Sequence, residues 1–190
     1  HQKHNNLKYQ KNQYLLYITI LNLLGFGFHN KYGGIMGMEK VLEDLQSKIG
    51  KVIHQSEWMH ISQEMINAFA DATQDHQWIH IDPERASKES PFKATIAHGY
   101  FTLALYPKLR GLVDPENPPY PNTKNIINYG INKLRFTGPV IAGSNIRSNC
   151  TLLSAEEVKG SIELIEEYSV EVENQDRPAC VAQNIMRLYF

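Results

Sequence analysis

Hydrophobic and polar residues alternate with helical spacing in one part of the chain and with strand spacing in several others. One apolar face, repeating every three or four residues, is formed by Met65, Ile66, Phe69, Ala70 and Thr73. This face predicts a helix over residues 62–73, with Ser62 at its N-cap. A shorter amphipathic helix is predicted over residues 39–47, ending before Gly50.

The segment 94–113 is apolar nearly all round at its centre, which predicts a long buried helix. His98 and Gly99 mark its start and Gly111 its end, and Pro107 is expected to kink it because proline cannot donate a backbone hydrogen bond. A short helix over residues 83–90 is predicted before it, capped by Asp82. The proline-rich stretch 114–122 is predicted to be a loop.

Alternating segments separated by turn-forming residues predict strands at 52–61, 125–136, 144–153, 158–172 and 179–189. Their hairpin-length connections favour an antiparallel sheet. The prediction is therefore an α+β fold in which about five strands wrap round one long central helix. Such a sheet leaves edge strands unpaired, and a homodimer would cover them.

Residues 1–37 differ from the rest of the chain, with four lysines, no acidic residue and an apolar run over residues 14–28. The run is too short for a membrane-spanning helix and no cleavage signal follows it, so stable membrane insertion is not expected. We interpret residues 1–37 as a non-native or poorly ordered leader and residues 38–190 as the domain. A weak amphipathic membrane tether is the alternative.

Composition excludes several classes of function. The formal net charge of −1, without a basic cluster, argues against a nucleic-acid partner. Cys150 and Cys180 are too few and too far apart for a disulfide framework or a common zinc site, which predicts a reduced, cytoplasmic setting. Both cysteines are interpreted as small buried hydrophobic residues.

The stretch FADATQDHQWIHID, from residue 69 to 82, carries the candidate chemistry. An imidazole titrates near neutrality, so Asp75 and His80 together could hold one water molecule and move its proton without a metal. A structural explanation remains open, since an aspartate after a helix often forms a turn and a histidine often bonds a backbone carbonyl. Asp82, before Pro83, is interpreted as a helix cap.

A second motif, IAHGY over residues 96–100, begins the predicted buried helix. The first backbone N–H groups of a helix have no partner within it, so those near Gly99 could bind an oxyanion. Glycine would also allow a carbonyl group to approach closely. The structural alternative is a helix-start glycine beside a capping or core histidine, His98.

Together these motifs resemble the MaoC-like dehydratases and (R)-specific enoyl-CoA hydratases of the hot-dog fold, especially their nodulation protein N-like branch. The resemblance implies that Asp75 and His80 are catalytic, that the Gly99 N–H binds the thioester oxygen, and that Gln77 and Trp78 shape the pocket. It also implies an acyl-CoA or acyl-carrier-protein substrate, no separate cofactor and a place in fatty acid metabolism. Phe101, Leu103 and Leu105 would bound an acyl tunnel.

Two rival functions follow from the same resemblance. A hot-dog thioesterase commonly has an acidic residue on the central helix, and residues 98–113 contain none, which argues against hydrolysis. A non-catalytic acyl-CoA-binding protein is the other rival, suggested by Gln77 and Trp78 in place of the commoner Asn-Pro. The presence of both Asp75 and His80 favours catalysis, because binding alone does not need that pair.

Overall fold

An antiparallel sheet dominates the structure. A computed structural model describes the backbone from residue 31 and the side chains from residue 37. The strands are β1 (Val52–Gln55), β2 (Met59–His60), β3 (Asn125–Phe136), β4 (Asn145–Val158), β5 (Ser161–Val172) and β6 (Cys180–Tyr189). Their order is β1-β4-β5-β6-β3, and β2 also pairs with β4. The predicted antiparallel sheet is confirmed, with six strands because the predicted strand 52–61 forms two.

The hairpin between β4 and β5 is tighter than its turn-forming residues predict. A turn was expected over residues 154–157, but β4 continues through them, after an irregularity between Leu152 and Ser154. The loop consists of Lys159 and Gly160, whose φ angles of 52° and 78° are both positive. Two successive positive φ angles are typical of a type I′ turn, which matches the twist of adjacent strands.

The chain forms six helices within residues 31–190. They are α1 (Lys31–Gln46), α2 (Gln63–Thr73), α3 (Trp78–Ile81), α4 (Pro83–Glu89), α5 (Gly99–Ala104) and α6 (Tyr106–Leu109). Both predicted caps are confirmed: the Met65 N–H donates to Ser62 Oγ at 3.3 Å, and the Arg85 N–H donates to Asp82 Oδ1 at 2.9 Å. Local side-chain chemistry therefore sets these helix starts.

The predicted central helix is present but shorter than residues 94–113, and it is interrupted near the expected kink at Pro107. It is divided into α5 and α6 at Leu105, two residues before Pro107. Proline cannot donate to the carbonyl of Leu103, and the Leu105 N–H donates to the Phe101 carbonyl at 3.1 Å. The predicted start at Gly99 is confirmed. The predicted end is also close, because Gly111 follows α6 with φ of 74° and stops the helix.

A buried ionic network fixes the C-terminal end of α6 to the middle of the sheet. Glu166 on β5 is fully buried and accepts hydrogen bonds from Arg110 at 2.8 and 2.9 Å. Its carboxylate also accepts hydrogen bonds from the hydroxyl groups of Tyr106 at 2.9 Å and Tyr120 at 2.7 Å. Burial opposes the charge on Arg110, but Glu166 raises the pKa of the guanidinium above its usual value.

Two further predictions concern the cysteines and the leader. Cys150 and Cys180 are free and buried, and burial raises their pKa values to about 12 and about 11, as expected for unreactive core thiols. Residues 1–30 of the predicted leader lie outside the described part of the chain. From residue 31 to 190, no helix combines the length and apolar character that crossing a membrane requires.

Candidate active site

Asp75 lies in the loop after α2, and His80 lies on α3, the next helix along the chain. Gln74 directly follows α2 and adopts a left-handed conformation with φ of 61°. Asp75 follows in the loop with 42% of its side chain exposed, and His80 lies on α3 with only 9% exposed. A solvent-facing carboxylate thus stands beside a shielded imidazole.

A short extended segment holds α3 from the other side. The Ile96 N–H donates to the Ile79 carbonyl at 3.1 Å, and the Ala97 N–H donates to the Val140 carbonyl at 2.7 Å. This segment, which lies just before α5, therefore bridges α3 and the chain before β4. It brings the IAHGY motif against the Asp75–His80 stretch.

The hydrogen bonds of His80 fix its tautomer. Nδ1 lies 2.7 Å from the Ile96 carbonyl, which can only accept, so Nδ1 carries the hydrogen and Nε2 has the free lone pair. Gln63 donates to the His80 carbonyl at 2.7 Å, and the Thr95 hydroxyl donates to Gln63 Oε1. Burial lowers the pKa of His80, although Ile96 and Asp75 act in the opposite direction. His80 is therefore arranged as a neutral base.

Asp75 is held as a carboxylate by its neighbour. The side-chain amide of Gln77 donates to Asp75 Oδ1 at 2.9 Å, and this bond lowers the pKa of the carboxyl group. A carboxylate oxygen of Asp75 lies within 4.8 Å of a ring nitrogen of His80. One water molecule can bridge such a gap, because two hydrogen bonds of roughly 2.8 Å span about 5 Å.

His98 is the residue at this site whose position the sequence did not predict. Its ring stacks on His80 with centroids 3.7 Å apart, and its Nε2 lies 3.0 Å from the backbone carbonyl of Asp75. Nε2 also lies 4.0 Å from Asp75 Oδ2. The motif IAHGY was the available signal, but a helix-start histidine gives no indication of contacts 18 and 23 residues away.

Gly99 begins α5 directly after His98, so its backbone N–H has no partner in the preceding turn. It lies in the wall of a cavity of about 410 Å³ that Ile96 and Phe136 also line. A Cβ atom at this position would meet the Phe136 ring at 2.8 Å. Because α5 has only six residues, the N–H group itself, rather than a long helix dipole, is the feature that could bind an oxyanion.

The other residues of the motif lie around this centre. Trp78 is on α3, and the guanidinium of Arg85 on α4 lies 4.6 Å from the centre of its ring. His76 bonds Asp71 at 2.9 Å and is largely exposed. Asp82 caps α4, as predicted. Of the predicted site residues, the structure thus groups Asp75, Gln77 and His80 closely, with Gly99 joined to them through His98.

Asp75, His80 and His98 each place one possible metal-ligand atom within 4.8 Å of the others, a spacing that a metal site could have. The hydrogen bonds of the two histidines argue against metal binding. His80 Nδ1 and His98 Nε2 both face backbone carbonyl oxygens and therefore carry hydrogen, and a protonated ring nitrogen has no lone pair for a metal. The nitrogens without hydrogen are then His80 Nε2 and His98 Nδ1, and the latter is buried. His80 Nε2 and the Asp75 carboxylate form a pair that suits a bound water molecule.

Comparison with known proteins agrees with this fold. A family model described as a MaoC like domain matches residues 44–174. The chain therefore belongs to the MaoC-like dehydratase family, whose members are hydro-lyases.

Named relatives place it more closely within that family. 3-Hydroxyacyl-thioester dehydratase Z of Mycobacterium tuberculosis is 46% identical over 145 residues, which are 76% of this chain and 93% of the relative. Nodulation protein N of Rhizobium leguminosarum bv. viciae is 42% identical over 154 residues, 80% of this chain and 93% of the relative. The (R)-hydratase from A. caviae has the same fold, with a TM-score of 0.58 at 20% identity over 72% of this chain and 95% of that chain.

Proposed function

We propose that the protein is an (R)-specific enoyl-CoA hydratase/3-hydroxyacyl-CoA dehydratase, which reversibly adds water to a trans-2-enoyl thioester. One observation carries the proposal. His80 Nδ1 is committed to the Ile96 carbonyl, while a ring nitrogen of His80 lies within 4.8 Å of an Asp75 carboxylate oxygen. This arrangement supports a water held between a neutral base and a carboxylate.

The proposed hydration proceeds through an enolate. His80 takes a proton from the water, whose oxygen forms a bond to the β-carbon. The electrons of the carbon–carbon double bond move to the thioester oxygen, where the Gly99 N–H stabilises the negative charge. The Asp75–His80 pair then returns a proton to the α-carbon, so that one water has been added. Dehydration is the reverse sequence.

The surroundings of α5 support an acyl substrate. In addition to the cavity at Gly99, a second cavity of about 460 Å³ lies between the α5–α6 segment and strands β3 and β6. Leu103 and Pro107, one and two turns after Gly99, line it together with Ile131 and Ile185. We assign the predicted acyl-binding role to these apolar walls. Phe101 is instead mostly buried core.

The reaction can be tested with trans-2-enoyl-CoA substrates from crotonyl-CoA upwards. Loss of the conjugated thioester absorbance is expected, with (R)-3-hydroxyacyl-CoA as the product and the thioester bond intact. An (S) product would refute the proposed stereochemistry. Release of free CoA would identify a thioesterase, and tight acyl-CoA binding without turnover would identify a binding protein. The same substrates on acyl carrier protein compare the two carriers.

Glycine at position 99 is expected to be necessary for this reaction. Gly99→Ala should lower kcat/KM by about 10- to 100-fold, because the new methyl group meets Phe136 at 2.8 Å and displaces the first turn of α5 from the reacting centre. The double variant Gly99→Ala/Phe136→Leu provides room for the methyl group and should lose less than Gly99→Ala alone. Full activity of Gly99→Ala would exclude this close approach.

We further propose that two copies of the chain associate through β3. This strand is the last in the sheet order, and several of its large apolar side chains are more than 40% exposed: Ile127, Tyr129, Ile131 and Phe136. Exposed apolar edge strands commonly pair with another chain. A second β3 related by a twofold axis would pair the edge backbone groups and cover these side chains.

Charged residues on this edge are expected to separate the two copies. The double variant Ile127→Lys/Ile131→Lys places like charges where the twofold-related strands meet and should sediment as a monomer of about 21.8 kDa. Val52→Lys is the matched control, because Val52 is 61% exposed on β1 at the opposite edge. The wild type and this control should sediment at twice the monomer mass. A monomeric wild type, or a dimeric double variant, would contradict the proposed interface.

A further inference from the structure

We propose that His98 is a positioning residue with two separable contacts, one that tethers the backbone of Asp75 and one that shields a face of His80 from water. The inference rests on the proposed function, since it assigns a role within the same reaction. His98 is 4% exposed and belongs to neither the predicted catalytic pair nor the Gly99 oxyanion site.

The tether is a hydrogen bond from the ring of His98 to the main chain of Asp75. Nε2 faces the Asp75 carbonyl at 3.0 Å, and only a nitrogen that carries hydrogen can bond a carbonyl. Nδ1 is buried without a hydrogen-bond partner among the described residues, which suits a lone pair rather than a second N–H. The contacts therefore select one tautomer of His98.

This tether holds an exposed part of the loop between α2 and α3. Asp75 directly follows the left-handed Gln74, in a loop between two helices, and nearly half of its side chain is exposed. Gln77 orients the carboxylate but lies in the same loop. His98 connects that loop to the start of α5, so it fixes Asp75 relative to Gly99 as well as to His80.

The shield is the ring of His98, which stacks on His80. His98 lies face to face with His80 at 3.7 Å, while Phe69 packs on His98 at 5.1 Å and extends the cover. Removal of water from an imidazole disfavours its charged form. Burial is the largest influence that lowers the pKa of His80, and His98 contributes further in the same direction. Asp75 and His98 are the titratable groups that act on His80.

Two substitutions separate these contacts. His98→Phe keeps an aromatic ring over His80 and removes the N–H to Asp75, whereas His98→Gln keeps an amide N–H near the position of Nε2 and removes the ring. His54→Phe is the matched control. His54 is a half-buried histidine whose Nε2 bonds the Leu109 carbonyl at 3.0 Å, outside the proposed site.

For His98→Phe we expect kcat to fall by about 10- to 100-fold, because Asp75 is less well placed. The acid limb of its kcat/KM profile should move less than in His98→Gln, since the phenyl ring still covers His80. For His98→Gln we expect a kcat within about 3-fold of the wild type at alkaline pH. Its acid limb should move to higher pH, since water regains access to His80 and its pKa rises towards the ordinary imidazole range. His54→Phe should match the wild type in both measurements.

The pKa of His80 can also be followed by NMR titration of the ring protons without substrate. This readout distinguishes failure of the inference from failure of the proposed function. A larger rise in the pKa of His80 in His98→Gln than in His98→Phe supports the shield even if no thioester is turned over. Equal pKa values of His80 in the two variants overturn the shield, and wild-type kcat in a folded His98→Phe overturns the tether.

Discussion

His80→Gln is expected to lower kcat/KM for enoyl-CoA hydration by about 100- to 10,000-fold, the contribution typical of a general base. A glutamine amide has no basic nitrogen, so it could hold water but could not take its proton. The fold should survive, because the substitution replaces one hydrogen-bonding side chain by another beside the Ile96 carbonyl. Circular dichroism and the unfolding midpoint verify this.

Asp75→Asn is expected to cause a loss of similar size, since an uncharged amide neither attracts the water proton nor takes part in proton return. Asp71→Asn is the matched control. Asp71 is an exposed carboxylate at the end of α2 that bonds His76 at 2.9 Å, and its removal should leave kcat/KM unchanged. Near-full activity in a folded His80→Gln or Asp75→Asn variant would refute the assigned roles.

The second large effect is on stability. Arg110→Met is expected to lower the free energy of unfolding by about 3–5 kcal/mol, because it leaves the fully buried Glu166 carboxylate without its cation. Arg110→Lys keeps the charge but loses the two-point contact at 2.8 and 2.9 Å, and should lose less. If Arg110→Met does not fold, the lysine variant still gives a measurable loss in urea.

A more exposed ion pair on the same sheet provides the comparison. Arg147 bonds Glu171 at 2.6 Å, but the two side chains are 31% and 38% exposed, so Arg147→Met should cost at most about 1 kcal/mol. The double variant Arg110→Met/Glu166→Leu should be less destabilised than the sum of its single variants, since no charge is then left unpaired. Equal losses in Arg110→Met and Arg147→Met would contradict the importance of burial.

Features that depend on neighbouring residues were predictable from the sequence. The caps at Ser62 and Asp82, and the stop at Gly111, follow from side-chain and backbone chemistry within a few residues. The strands followed from alternation, since one face of the sheet is buried. The spacing of Asp75 and His80 likewise indicated a pair, because only one short turn separates α2 from α3.

Features that depend on distant contacts were not predictable in the same way. The missing donor of Pro107 predicted the interruption of the central helix, but periodicity did not show that Ile96 and Ala97 bond distant carbonyls instead of joining it. The continuation of β4 past Ser154 is favoured by burial of Ala155 against the rest of the core. At the site, the tautomer of His80 depends on a carbonyl 16 residues away, and a carbonyl belongs to every residue type.

The anchor formed by Arg110 and Glu166 has a consequence for how this enzyme can diversify. It secures the far end of the α5–α6 segment to the sheet, while His98 secures the near end to the Asp75 loop. Leu103 and Pro107 lie between these two attachments, on the cavity wall. Under the proposed acyl-binding role of this cavity, side chains there can change size, and so alter which acyl chains fit, without transmitting the change to the reacting groups. Substrate range and catalytic geometry are thereby separable in the course of evolution.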